Sequence, residues 1–241
     1  MHSSGGPLSN AARNLAQLRS ATVSWIWAGL VLLIFALVEA SGGVDRMHRL
    51  YEMLGLDRSG IFQGKLWQVG SYGFLHGSWW HVVINALFVL LIGSRIEHMA
   101  GAKTMNAVVA AGILGGGLLH ICLGNGLLVG LSGGCLALML MLTTLSPQSR
   151  MMPIPVSGKS LGLGILLAAL LLALLDPSLQ APGFSEVGGR MVEMGFGSWF
   201  KMGHACHLGG GLAGWLCGRW LLRPRVTLER LRRDRARREA E

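Results

Sequence analysis

Long apolar runs separated by short polar or glycine-rich intervals dominate the chain, and six of them read as membrane-spanning helices. They cover about residues 22–40, 72–94, 104–123, 131–146, 160–175 and 204–222, the fourth and fifth being short. Trp25 and Trp27 stand near one end of the first run, where indole rings anchor at a membrane interface. The pattern predicts an all-α polytopic membrane protein: an N-terminal tail over 1–21, a six-span core over 22–222 and a basic C-terminal tail over 223–241.

Two intervals carry structure of their own. After the first run, Met47, Leu50, Tyr51 and Leu54 recur at helical spacing, which predicts a short amphipathic helix lying in the headgroup region. Before the last run, Gly188, Gly189, Gly195 and Gly197 alternate with Phe196, Trp199 and Phe200. That mixture reads either as a flexible flap or as an interfacial aromatic anchor.

Composition narrows the class. Charged residues make up 14% of the chain and hydrophobic ones 51%, against about a quarter charged in ordinary globular proteins. With a mean hydropathy of +0.49, this excludes a soluble enzyme and a disordered chain. The 36 glycines lack the collagen period and sit inside apolar runs, as helix-packing glycines do. Cys122, Cys135, Cys206 and Cys217 form no CxxC pair and read as free buried thiols.

A net charge of +9 would point to nucleic acid in a soluble protein, but here its placement is topological. On the side of the two tails lie Arg13, Arg19, Arg95, Lys103, Arg150, Lys159 and nine arginines from Arg219 to Arg238, fifteen in all. The other side holds six: Arg46, Arg49, Arg58, Lys65, Arg190 and Lys201, diluted by acids. The tail decides this vote, since without it the two sides tie at six. The expectation is both ends in the cytoplasm, and the short loops and lack of an obvious transit peptide point to a bacterial inner membrane. The tail then faces anionic lipid rather than nucleic acid. Val38-Glu39-Ala40 before Ser41 faintly resembles a signal cleavage site, but the polar stretch ahead is too long and the apolar run long enough to span.

Polar side chains inside such runs need a reason, because each costs several kcal/mol unless partnered. Ser132 opens the fourth run, His207 opens the sixth, and His81 and Asn85 share one helical face in the second. Any one alone would read as a side chain bonded to a neighbouring helix. Together they supply an acyl-transfer site: Ser132 as nucleophile, His207 as its base, and oxyanion donors from His81, Asn85 and the Ser132 backbone amide. No carboxylate lies within a run, so the arrangement is a Ser-His dyad rather than a triad. Gly130 and Gly133 flank the serine, and Gly210, Gly211, Gly214 and Gly218 follow His207 on one face, so helix backbones can approach closely enough for the pair to meet.

These residues resemble the rhomboid family of intramembrane serine proteases. His81-x-x-x-Asn85, with His76 five residues earlier and Glu97 and Gly101 after it, is similar to the family's second span. Gly130-Leu131-Ser132-Gly133 matches its GxSG motif, and His207-x-x-Gly210-x-x-x-Gly214 its HxxGxxxG pattern. The resemblance covers about residues 22–222 and implies a six-helix core, the Ser132/His207 dyad, oxyanion contacts from His81, Asn85 and Ser132, and cleavage of membrane-protein substrates, single-span or polytopic, near their outer end. The chain departs from common family residues at Gln68, Leu136 and Cys206. The serine is expected a few ångströms to about 10 Å below the outer surface, because it starts a span.

Two rivals stand beside this reading. One is a non-catalytic rhomboid-like protein that binds membrane proteins. The other is a His-rich metal transporter, in which only His204 and His207 are spaced to share an ion, so no metal site and no cofactor is expected.

Overall fold

Apolar sequence and helix coincide over most of the chain in the computed structural model, which describes residues 16–151, 155–224 and 228–239. The long helices are α1 (Thr22–Ala40), then α6 (Trp79–Ala100), α7 (Ala102–Leu123), α8 (Ser132–Leu145), α9 (Gly158–Leu175) and α11 (His204–Leu221). Four short helices fill the first connection: α2 (Gly43–Arg46), α3 (His48–Leu54), α4 (Arg58–Phe62) and α5 (Gln68–Ser71). A two-stranded hairpin of β1 (Arg150–Met151) and β2 (Val156–Ser157) leads into α9. By length and composition α1, α6, α7 and α9 can each cross a membrane. α8 is apolar but has 14 residues, about 21 Å of rise, and the glycine- and histidine-rich α11 is not among those four.

The second apolar run is not one helix. Tyr72–Phe74 forms a separate 3-10 turn, and α6 starts at Trp79, where the Ser78 hydroxyl caps it by accepting from the His81 N–H at 3.3 Å. The helix then runs through a π-helical turn at Val89–Gly93 to Ala100, beyond the expected end at 94. The stripe Met47, Leu50, Tyr51 and Leu54 falls largely within α3, as expected, and packs on Val38 and Leu75, with the Tyr51 hydroxyl donating to the His76 carbonyl at 2.5 Å. The interval before the last run is mostly helical, with α10 (Phe184–Glu193) followed by a 3-10 turn at Phe196–Lys201. Of the tails, residues 1–15, 225–227 and 240–241 lie outside the described residues, Arg13 and Arg225 among them, and α12 (Leu228–Glu239) is a helix.

α8 occupies the centre, packed against α7 on one side and α11 on the other. Nine of its 14 residues are buried, which suits a helix surrounded by protein rather than lipid. Small residues make the approach possible. A Cβ added at Gly112 of α7 would meet the Gly133 carbonyl at 2.7 Å, and one at Gly116 would meet the Cys206 thiol at 2.8 Å. Gly210 and Gly214 of α11 rest likewise on the backbone of Gly133 and Ala137.

Across the molecule, Glu97 closes the start of α1. Its carboxylate accepts the Val23 N–H at 3.0 Å, the Ser24 N–H at 2.9 Å and the Ser24 hydroxyl at 2.9 Å. This satisfies orphan amides of a first turn that has no cap of its own and places an anion at the helix's positive end.

Candidate active site

The segment 124–131 delivers Ser132. Leu128 exchanges two backbone bonds with Leu56 at 2.8 and 3.0 Å, and the Gly130 N–H donates to the Tyr72 carbonyl at 3.0 Å. Gly130 has φ +121°, and a Cβ there would stand 2.5 Å from the His81 ring, so both conformation and space require glycine. Ser132 is the first residue of α8. Opposite it, Gly203 at φ +48° turns the chain into α11 and its carbonyl accepts the His207 N–H at 3.1 Å.

The two ends meet. His207 Nε2 lies 3.0 Å from Ser132 Oγ, 75 residues apart in the chain. A hydroxyl against a neutral imidazole is the arrangement from which proton transfer makes an alkoxide nucleophile. His204, one turn before, stacks edge-on to His207 with ring centroids 5.9 Å apart, and its own Nε2 donates to the Trp199 carbonyl at 2.7 Å. Among the described residues no carboxylate bonds to His207 and no three His, Cys, Asp or Glu side chains are placed to hold a metal ion.

Asn85 and His81 border the same corner. Asn85 is buried, its Oδ1 accepts from the Cys135 thiol at 3.6 Å, and its Nδ2 lies 3.0 Å from His76 Nε2. His81 stands edge-on to His76, centroids 5.0 Å apart, with its ring against Gly130. The Asn85 amide therefore spends one N–H on His76 and keeps a second, beside Gly130.

A family profile described as "Rhomboid domain" matches residues 63–224, about two thirds of the chain and all of this corner. The chain belongs to the rhomboid family. It is also 30% identical over 95 residues to the rhomboid protease GluP of Bacillus subtilis (strain 168), a stretch that is 39% of this chain and 19% of that relative. The match thus spans about a fifth of the length of that curated relative.

Within this rhomboid domain, His76 is the residue whose part sequence reasoning did not reach. It is fully buried, and its Nε2 takes both the Asn85 amide and, at 3.4 Å, the Leu131 N–H. A backbone N–H only donates, so Nε2 is the unprotonated nitrogen and the proton sits on Nδ1. His76 thereby ties the residue before Ser132 to Asn85. Its position before the HxxxN pair was visible, but the bond to Leu131 is a tertiary fact.

The three departures from common rhomboid residues have structural places. Gln68 is fully buried and bridges the first connection, donating to the Glu52 carbonyl at 3.0 Å and accepting the Asp57 N–H at 3.3 Å. Beside it Asp57 caps α4, and its carboxyl is held below the usual range chiefly by the Ser59 hydroxyl. Leu136 packs on the apolar core one turn after Ser132. Cys206 is buried between Gly116, Gly133 and the Tyr72 hydroxyl, with its Sγ 3.6 Å from that oxygen.

Proposed function

We propose that this chain is an intramembrane serine endopeptidase. Membership of the rhomboid family and likeness to a rhomboid protease support the class. The observation that carries the site is the 3.0 Å approach of Ser132 Oγ to His207 Nε2. In this reading six helices, α1, α6, α7, α8, α9 and α11, span an inner membrane of a bacterial cell with both ends in the cytoplasm. The core is 22–222 and the tails are 1–21 and 223–241.

The chemistry follows from the placement. His207 Nε2 takes the Ser132 proton as Oγ adds to the scissile carbonyl. The carbonyl electrons move onto its oxygen, which the Ser132 backbone N–H, the free Asn85 N–H and the His81 ring N–H stabilise. Collapse expels the amine, which receives the proton from His207, and a water repeats the sequence on the acyl-enzyme. Without a carboxylate partner, orientation of His207 falls to helix packing, to which Gly133, Gly210 and Gly214 contribute.

The substrates are single-span or polytopic membrane proteins cut near the outer face, because Ser132 starts its helix on the side away from the basic tails. The experiment is incubation of the purified protein with a single-span substrate, comparing wild type with Ser132→Ala and His207→Ala. Loss of cleavage in both variants, with unchanged thermal unfolding, supports the reading. Equal cleavage by all three ends it.

A further inference from the structure

The opposite end of α8 borders a second cavity. The helix ends at Leu145, roughly 20 Å of rise from Ser132, and a groove of about 240 Å³ lies there. Its polar wall is Gln17 ahead of α1, Arg95 and His98 of α6, Ser146 and Ser149 after α8, and Arg150 of the hairpin. No carboxylate lines it. Glu97, near in sequence, is engaged at the start of α1, and His98 holds the Gln17 carbonyl at 2.7 Å. Among the described residues neither Arg95 nor Arg150 has an ion-pair partner. Arg150 is positioned by its pairing with Ser157 and by the Gly158 N–H, which donates to the Ser149 carbonyl at 2.9 Å.

Two unpaired guanidinium groups with hydroxyls beside them match the oxygens of a phosphate. The apolar surroundings say what the phosphate is attached to. On α6, Ile84, Leu87, Leu91 and Arg95 follow at spacings of three, four and four, so they share one face. Ile84, Leu87 and Leu91 are each more than half exposed, at 58%, 51% and 58%. Exposed Met99 and the edge of buried Leu142 complete the groove's apolar side. An outward apolar stripe that ends at an arginine in a carboxylate-free groove has the polarity of a phospholipid, acyl chain first and headgroup last.

We propose that this groove binds the phosphate of an anionic glycerophospholipid, held between Arg95 and Arg150, with an acyl chain along Leu91, Leu87 and Ile84. The inference rests on the membrane reading of α6 but not on the chemistry of Ser132. Bound at the end of α8 away from the serine, the lipid occupies the leaflet on the side of the tails and fastens α6, α8 and the hairpin to one another.

The test uses the full chain in detergent, read by native mass spectrometry and thermal unfolding. Its arms are phosphatidylglycerol, phosphatidylcholine and inorganic phosphate. One phosphatidylglycerol is expected to remain bound and to raise the unfolding temperature, and the other two to do neither. Arg95→Gln with Arg150→Gln is expected to weaken binding roughly a hundredfold, and the Lys pair, which keeps charge but loses the fork, roughly tenfold. Arg237→Gln with Arg238→Gln, on exposed α12, should leave this single lipid in place. Retention in the Arg95/Arg150 Gln pair, or equal protection by phosphatidylcholine, overturns the site. Equal protection by inorganic phosphate overturns the lipid assignment. Should the Gln pair unfold, the Lys pair decides alone, and wild-type affinity there overturns the proposal. Ser132→Ala should bind as wild type does, so an inactive protease and a missing lipid site give different results.

Discussion

Gly210 of α11 rests on the backbone of Gly133 in α8, so closely that a Cβ at 210 would collide with the Gly133 carbonyl. His207 is one turn before the first glycine and Ser132 immediately precedes the second, so this contact sets the 3.0 Å between Oγ and Nε2. In an isolated helix, alanine is better than glycine by about 1 kcal/mol. In this bundle Gly210→Ala is expected to reverse that sign, lowering stability by about 1–3 kcal/mol through forced separation of the helices. Cleavage should fall at least about tenfold, since an added ångström weakens proton transfer sharply. Gly164→Ala on α9, with open space around it, is the comparison and should lower neither. Thermal unfolding and cleavage rate measured on both variants check this.

His76 holds Asn85 and the Leu131 N–H on one nitrogen, and its replacement should disturb chemistry more than substrate capture. His76→Ala leaves a buried amide and a backbone N–H unpaired, costing about 1–3 kcal/mol of stability. The cleavage rate constant is expected to fall by about ten- to a hundredfold, as for loss of an oriented oxyanion donor, with KM changed less than threefold. His76→Gln can still present an acceptor and should recover part of the rate. A change confined to KM would remove His76 from the positioning of Asn85.

The capping of α1 by Glu97 is a stability device remote from the serine. Glu97→Ala strands two backbone N–H groups and is expected to cost about 2 kcal/mol, with Glu97→Gln costing less because its carbonyl still accepts. Cleavage per folded molecule should stay within about twofold of wild type. A large loss of rate at unchanged unfolding temperature would contradict the capping assignment.

Much of this helical architecture is legible in the sequence. The runs at 22–40 and 204–222 became helices within a residue, because hydropathy and helix end together there. The run at 72–94 misled because Tyr72 to Trp80 is apolar enough to look continuous, while the break is made by the Ser78 cap and by buried His76, neither of which hydropathy registers. α10 is hidden by its glycines: Gly188 packs on the Leu175 carbonyl, a contact that needs no side chain, and so it reads as part of a flap in sequence and as a packing point in space. Ser132 and His207 stand out in the sequence as polar groups opening apolar runs, and the structure brings them within 3.0 Å, whereas His76 works by a bond to a backbone N–H whose position no residue pattern encodes.

For the proposed protease, the position of Ser132 at the first residue of its helix bears on which substrates are expected to be cut. A helical substrate hides each carbonyl in a bond to the N–H four residues on, and its side chains shield the trajectory of attack. To reach an oxygen at the end of α8, the scissile segment must leave the helix, and the cost depends on its own propensity. Glycine near the cut lowers that cost by about 1 kcal/mol and proline by about 3 relative to alanine. If unwinding precedes chemistry and limits it, substrates with Gly or Pro beside the cut should be cleaved about five- to a hundredfold faster than those with Ala or Leu. A graded set of such substrates, matched in span length and assayed in the same vesicles, measures this directly. Equal rates across the set would mean that the segment arrives already extended, and the slow step would then lie in the proton transfer between Ser132 and His207.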